Sequence, residues 1–230
     1  MKLHNPFKDL TKFEWTLWLC SLVVVSASFL LSPDKDYLTL VCSLIGVTAL
    51  IFVAKGYVFG LILSVVFAVF YGIISFFFRY YGEMITYLGM SAPIALVSIF
   101  TWLKNPYKDT PEVTVAKLSK KEILFMLTSS VAITIAFYFI LKAFHTTNLF
   151  FSTISVTTSY LASYLSFKRS PYYACAYAGN DIILIILWIL ASIENISYLP
   201  MIFCFIAFLF NDLYAFFNWR RMQNRQNEKN

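Results

Sequence analysis

Residues 57–78 read Y-V-F-G-L-I-L-S-V-V-F-A-V-F-Y-G-I-I-S-F-F-F, an apolar run without one charged side chain. The hydrocarbon core of a bilayer is about 30 Å thick, and a helix needs about 20 apolar residues to cross it. The run therefore reads as a membrane span and sets the scale for the rest of the chain. Segments of similar character lie at about 15–31, 37–54, 84–103, 121–143, 147–167, 172–192 and 197–218. They predict an all-α polytopic membrane protein of about eight transmembrane helices. Composition agrees: 60% of the residues are hydrophobic and 13% charged, whereas a soluble domain carries about 25% charged residues. Polar side chains are too few to cover a soluble surface.

The first segment follows Lys2, Lys8 and Lys12, as a signal peptide would. Asp9, Glu14 and the length of the apolar run favour a leading membrane helix instead. All Lys and Arg residues except Lys35, Arg79 and Lys142 fall on one side of an eight-span arrangement. Basic residues mark the cytoplasmic side, so both termini are expected there, in a bacterial cytoplasmic membrane. The net charge of +6 is then a topology signal and not a nucleic-acid footprint. The loop at 104–121 is expected to be a solvated connector that meets anionic headgroups. Cys20, Cys42, Cys175 and Cys204 lie in apolar runs and read as buried small hydrophobes. With His4 and His145 the only histidines, no metal site and no cofactor is expected.

Residues 83–88 read E-M-I-T-Y-L and residues 194–199 read E-N-I-S-Y-L. Each match opens a span, the fourth and the eighth. A tight basic turn lies one span before each match, at Lys55-Gly56 and at Lys168-Arg169. Spans two to four and six to eight therefore read as two copies of a three-helix unit, with span five between them. One linker span between odd-numbered units leaves the copies parallel, a known transporter architecture. The expected divisions are a leading segment 1–36, a first repeat 37–104, a loop and linker helix 105–146, a second repeat 147–219 and a tail 220–230.

Two carboxylates stand out inside this apolar sequence. Asp181 and Asp212 lie within spans seven and eight, each preceded by asparagine, Asn180 and Asn211. Charge at such depth costs at least about 2.5–3.5 kcal/mol, so it normally faces a cavity and marks function. Helical spacing groups Tyr177, Asp181 and Trp188 on one face, with Tyr173 above them. It groups Phe208, Asp212 and Trp219 on another. A carboxylate among aromatic rings suits a cationic aromatic ligand. The structural alternative is that the two aspartates are polar glue between helices, with Asp212 reaching toward the near interface. Trp219 reads as a residue of the interfacial aromatic belt. Pro93 frees a carbonyl in span four and is expected to kink it near the pathway.

At these residues the chain resembles the PnuC family of nicotinamide riboside transporters. The matching stretches are K-G-Y-V-F-G-L-I-L-S at 55–64, P-I-A-L-V-S-I-F-T-W-L-K-N at 93–105, N-D-I-I-L-I-I-L-W at 180–188 and F-L-F-N-D-L-Y-A-F-F-N-W at 208–219. The resemblance implies a 3+1+3 core related to SWEET sugar carriers, with an extra N-terminal helix, assembled as a homotrimer. It implies facilitated diffusion of nicotinamide riboside, a vitamin B3 precursor of NAD, trapped by a cytoplasmic kinase. It also implies substrate contacts from Asn180, Asp181, Trp188, Asn211, Asp212 and Tyr214, with Trp102 from the first repeat; Tyr177 joins them by its place on the Asp181 face. The chain departs from the family in showing only Trp102 of a W-x-x-x-Y-x-W pattern, and Tyr173 and Tyr177 where paired tryptophans are common. The family also includes thiamine and riboflavin carriers, so thiamine is the second expected substrate. A membrane-embedded enzyme would need clustered catalytic side chains, and a sensor would need a larger polar domain. The sequence offers neither.

Overall fold

Lipid offers no hydrogen-bond partner, so each apolar segment must close its backbone bonds internally. The computed structural model describes residues 5–78 and 80–228. Among these it forms eight long helices: α1 (Lys12–Leu31), α2 (Tyr37–Ala54), α3 (Val58–Phe77), α4 (Tyr81–Leu103), α5 (Lys120–Ala143), α6 (Leu149–Phe167), α7 (Tyr173–Glu194) and α8 (Leu199–Glu228). Seven of them are apolar enough to cross a membrane by length and composition. The exception is α6, whose sequence is diluted by Ser152, Thr153, Ser155, Thr157, Thr158, Ser159, Ser163 and Ser166. The hydroxyls of Thr153, Thr157 and Thr158 bond back to carbonyls one turn earlier, which lets a polar helix sit inside the bundle.

Local chemistry fixes the helix ends. Thr11 and Glu14 form a capping box at the start of α1, and Ser119 and Glu122 form another at α5. Lys35 donates to the carbonyls of Leu30 and Ser32 at the end of α1. Arg79, expected beside it on the same face, lies outside the described residues. At α4 the helix widens into a π turn over Tyr87–Ser91, where the Ala92 N–H reaches back to the Tyr87 carbonyl. Pro93 follows at once, so the irregularity expected from it falls in the preceding turn.

The helices pack as two triplets, α2–α4 and α6–α8, which meet along α2 with α8 and along α4 with α6. Helix α1 lies against α2 and α8, and α5 lies against α6. The turn after α2 and the turn after α6 share one backbone path. Lys55 and Lys168 are helical, and Gly56 (φ 72°) and Arg169 (φ 57°) are left-handed. In the first, the N–H groups of Gly56 and Tyr57 bond to the carbonyls of Val53 and Phe52. In the second, those of Arg169 and Ser170 bond to Ser166 and Leu165. The E-x-I-[ST]-Y-L matches are less alike than their sequence. Glu83 lies in the first turn of α4 and is buried, whereas Glu194 ends α7 and is exposed.

Cys42 and Cys204 are buried as expected, but Cys20 and Cys175 point out of the bundle. Residues 104–119 do not form a free connector. They fold back across the face that carries both termini, with Val113 buried among Trp102, Trp219 and Met222.

Helices α2 and α3 touch backbone to backbone at Gly60. A Cβ there would lie 2.3 Å from the Val53 nitrogen and 2.7 Å from the Phe52 carbonyl carbon. Backbone cannot rotate aside as a side chain can, so Gly60→Ala should destabilise the protein by about 1–3 kcal/mol. A lower melting temperature in detergent checks this; an unchanged one would mean that the two helices spread freely.

Candidate functional site

A cavity of about 90 Å³ lies between the triplets. Its wall comes from α2, α3, α4, α6, α7 and α8, and from neither α1 nor α5. The two halves of the wall differ in chemistry. Helices α2 and α3 supply mainly Gly46, Ala49, Leu50, Leu61, Phe67 and Ala68. Helices α6 to α8 supply Ser159, Ser163, Tyr177, Asn180, Asp181 and Asp212. The π turn of α4 brings Tyr87 and Ser91 to the wall.

The polar half is held by a hydrogen-bonded layer. Asn180 Oδ1 accepts from Thr158 at 2.8 Å and from Ser159 at 3.0 Å. Ser163 and the Tyr177 hydroxyl lie 3.2 Å apart. Asp181 and Asp212 are 3% and 2% exposed and face each other within hydrogen-bonding range. Asp181 Oδ2 has no partner among the described residues, and none of the described residues lining the wall is Lys, Arg or His. Acceptors without a protein cation, opposite an apolar and aromatic wall, make a site for a flat cation with polar substituents.

Aromatic layers lie beyond the cavity at both ends. Toward the face away from the termini, Trp188 Nε1–H donates to the Tyr71 hydroxyl at 3.1 Å. Its ring lies 5.0 Å from Tyr80 and 5.9 Å from Tyr198. Toward the face with the termini, Trp102 and Trp219 lie 5.3 Å apart, and Tyr173 lies 4.9 Å from Trp219. The space between has room for a handful of waters. It is well below the roughly 300–1,000 Å³ of a drug-sized ligand pocket, so the site must widen to admit an organic solute.

Of the eight residues expected from sequence to contact substrate, Tyr177, Asn180, Asp181 and Asp212 converge on the cavity. The other four do not line it. Trp188 and Trp102 belong to the aromatic layers. Asn211 turns to α1, donating to Ser21 Oγ at 2.9 Å and to its own Ala207 carbonyl. Tyr214 also turns to α1, its hydroxyl donating to Glu14 Oε1 at 2.8 Å. Glu14 further holds Lys55 at 3.0 Å. Trp219 is fully buried, not an interfacial belt residue. Sequence reasoning missed the serine stripe of α6, whose spacing of Ser152, Ser155, Ser159, Ser163 and Ser166 puts all five on one buried face. It also missed Glu83, buried with Ser155 donating to Oε1 at 3.1 Å and Oε2 unpartnered. A lone carboxylate in an otherwise uncharged span was the available signal.

The sequence model of a family described as "Nicotinamide mononucleotide transporter" matches residues 36–221. The chain is 25% identical over 224 residues to a nicotinamide riboside transporter PnuC of Neisseria mucosa, covering 95% of this chain and 85% of that one. It is 23% identical over 230 residues to the PnuC of Haemophilus influenzae, covering 98% of each. The fold matches a crystal structure of a vitamin B3 transporter PnuC with a TM-score of 0.82, at 25% identity and over 94% of both chains. The chain thus belongs to the nicotinamide mononucleotide transporter family, as a multi-pass membrane transporter and not an enzyme.

Proposed function

We propose that the chain takes up nicotinamide riboside by facilitated diffusion, with the two triplets rocking about the cavity. The observation that carries this is the pair Asp181 and Asp212, buried in a wall where none of the described residues is basic. The pyridinium of nicotinamide riboside supplies the missing positive charge. Its ring matches the apolar side of the cavity. Its carboxamide and ribose hydroxyls match Asn180, Ser159, Ser163 and Tyr177. The names of the relatives point to the same substrate.

The divisions 37–104 and 147–219 are then the moving bodies. The segments 1–36 and 105–146 are their braces; the expected tail, 220–230, is instead helical to Glu228 as the end of α8, with Met222, Gln223 and Gln226 buried. The face with the termini is cytoplasmic, since Lys and Arg concentrate there, and the membrane is the bacterial inner membrane. The outward apolar side chains of α5, among them Leu124, Phe125, Val131, Ile135 and Phe139, offer area for lipid and for the contacts of a homotrimer. A cytoplasmic kinase that phosphorylates the product would keep the gradient inward.

Thiamine, also a cationic aromatic, is the second reading, because the same carboxylates and rings suit it. Titration calorimetry of purified protein with each vitamin separates them, and tight thiamine binding without nicotinamide riboside binding ends the first reading. In the same assay Asp181→Asn and Asp212→Asn should each weaken nicotinamide riboside binding by about 10–100-fold. That is the loss of about 1.5–3 kcal/mol expected for a hydrogen bond to a charged group. Parent-like affinity in both would remove the pair from the site. Tyr214→Phe tests the geometry from the other side. Its hydroxyl serves Glu14 and not the cavity, so affinity should stay within about twofold; a tenfold loss would return Tyr214 to the substrate.

A further inference from the structure

We propose that the face carrying the termini is gated by two reciprocal tryptophan latches, and that the 105–119 segment is the bolt that locks them. The proposal rests on the carrier reading above, in which the triplets must part at this face.

The latches follow from the matched turns. Val53 and Ser166 occupy equivalent places, each accepting the N–H of the left-handed residue three positions on. Each carbonyl also receives donors from the other triplet, and that of Val53 takes the Tyr173 hydroxyl at 3.4 Å. Trp102, near the end of α4, donates its Nε1–H to the Ser166 carbonyl at 3.0 Å. Trp219, on α8, donates its Nε1–H to the Val53 carbonyl at 3.0 Å. So the third helix of each triplet holds the first helix of the other, and the two indoles pack together, 1% and 0% exposed. Opening at this face must break both bonds and separate the rings.

The bolt uses the next pair of equivalent groups. The Val113 N–H donates to the Gly56 carbonyl at 2.9 Å, and the Ala116 N–H donates to the Arg169 carbonyl at 3.0 Å. One short stretch of chain therefore bridges the same carbonyl in both triplets. Gln226, in the last turns of α8 and 3% exposed, pins that stretch. Its Oε1 accepts from the Val115 N–H at 2.8 Å, and its Nε2 donates to the Val113 carbonyl at 3.2 Å. Arg225 pairs with Glu112 beside it. The Tyr57 hydroxyl, at the start of α3, donates to Asp9 Oδ2 at 2.9 Å. The geometry makes the bolt part of the gate: the face cannot open until 113–116 leaves at least one turn.

Gln226 does not line the cavity, which makes it a clean probe. The test uses the full chain with exposed Cys20 and Cys175 replaced by serine and a reporter, Ser98→Cys. Ser98 lines the cavity one turn above Trp102. Protein lacking the reporter corrects for buried Cys42 and Cys204. A membrane-impermeant maleimide is applied from the face with the termini and, separately, from the opposite face. Gln226→Ala and Trp219→Phe should each raise labelling from the first face about tenfold and leave the second unchanged. Unchanged rates in both variants overturn the proposal. Equal acceleration from both faces also overturns it, because it reports general loosening. Should Trp219→Phe fail to fold, Gln226→Ala alone decides. Nicotinamide riboside titrated into the same preparations keeps the two claims apart, since a parent that binds none of it fails the carrier reading while the labelling still reports the gate.

Discussion

The last carbonyls of a helix have no N–H within the helix to satisfy them, and a bilayer gives them no water. That constraint organises the face with the termini. Left-handed turns at Gly56 and Arg169 return N–H groups to the ends of α2 and α6. The carbonyl lone pairs that remain become attachment points for indoles and for the 105–119 segment. The same need to satisfy backbone in lipid produces the capping boxes of α1 and α5 and the lysine that closes α1. Helix ends that must be tied by protein also tie the helices to one another.

The cavity depends on a second economy, the mixing of polar groups into helices that remain helical. On α6 serine and threonine hydroxyls bond to their own backbone and so cost less to bury than an amide or a charge. Their stripe orients Asn180, meets Tyr177 and gives Glu83 its one partner. Among the described residues, Asp181 and Asp212 have no basic neighbour in the wall, and charge at such depth is costly to keep unpaired. A cavity of about 90 Å³ lies between two aromatic layers. A carrier of this kind must alternate which layer it opens, and the layers differ. One is a cluster of tyrosines around Trp188. The other is a pair of reciprocal tryptophans with a strap across it.

The apolar runs determined the helices by themselves. A span is a property of length and hydropathy along the chain, and the bilayer imposes the rest, so the expected boundaries lie close to those of α1 to α7, while α8 runs on to Glu228, ten residues past the expected 218. Only α6 strains that logic, because its polar stripe lowers its hydropathy while its buried face makes the polarity harmless. The two aspartates were legible for the same reason, since charge inside an apolar run is costly wherever it points. What the sequence could not decide is which neighbour each helix face meets. In lipid an apolar face is equally stable against a tail or another helix, so the pattern does not reveal the rotation of a helix about its axis. Asn211 and Tyr214 sit beside Asp212 in sequence, yet α1 takes them both. Trp102 and Trp188 match the site's chemistry, yet they lie beyond its ends instead of lining it. Those assignments belong to the packing of α1 on α8 and of one triplet on the other, long-range contacts that exist only once the tertiary structure has formed.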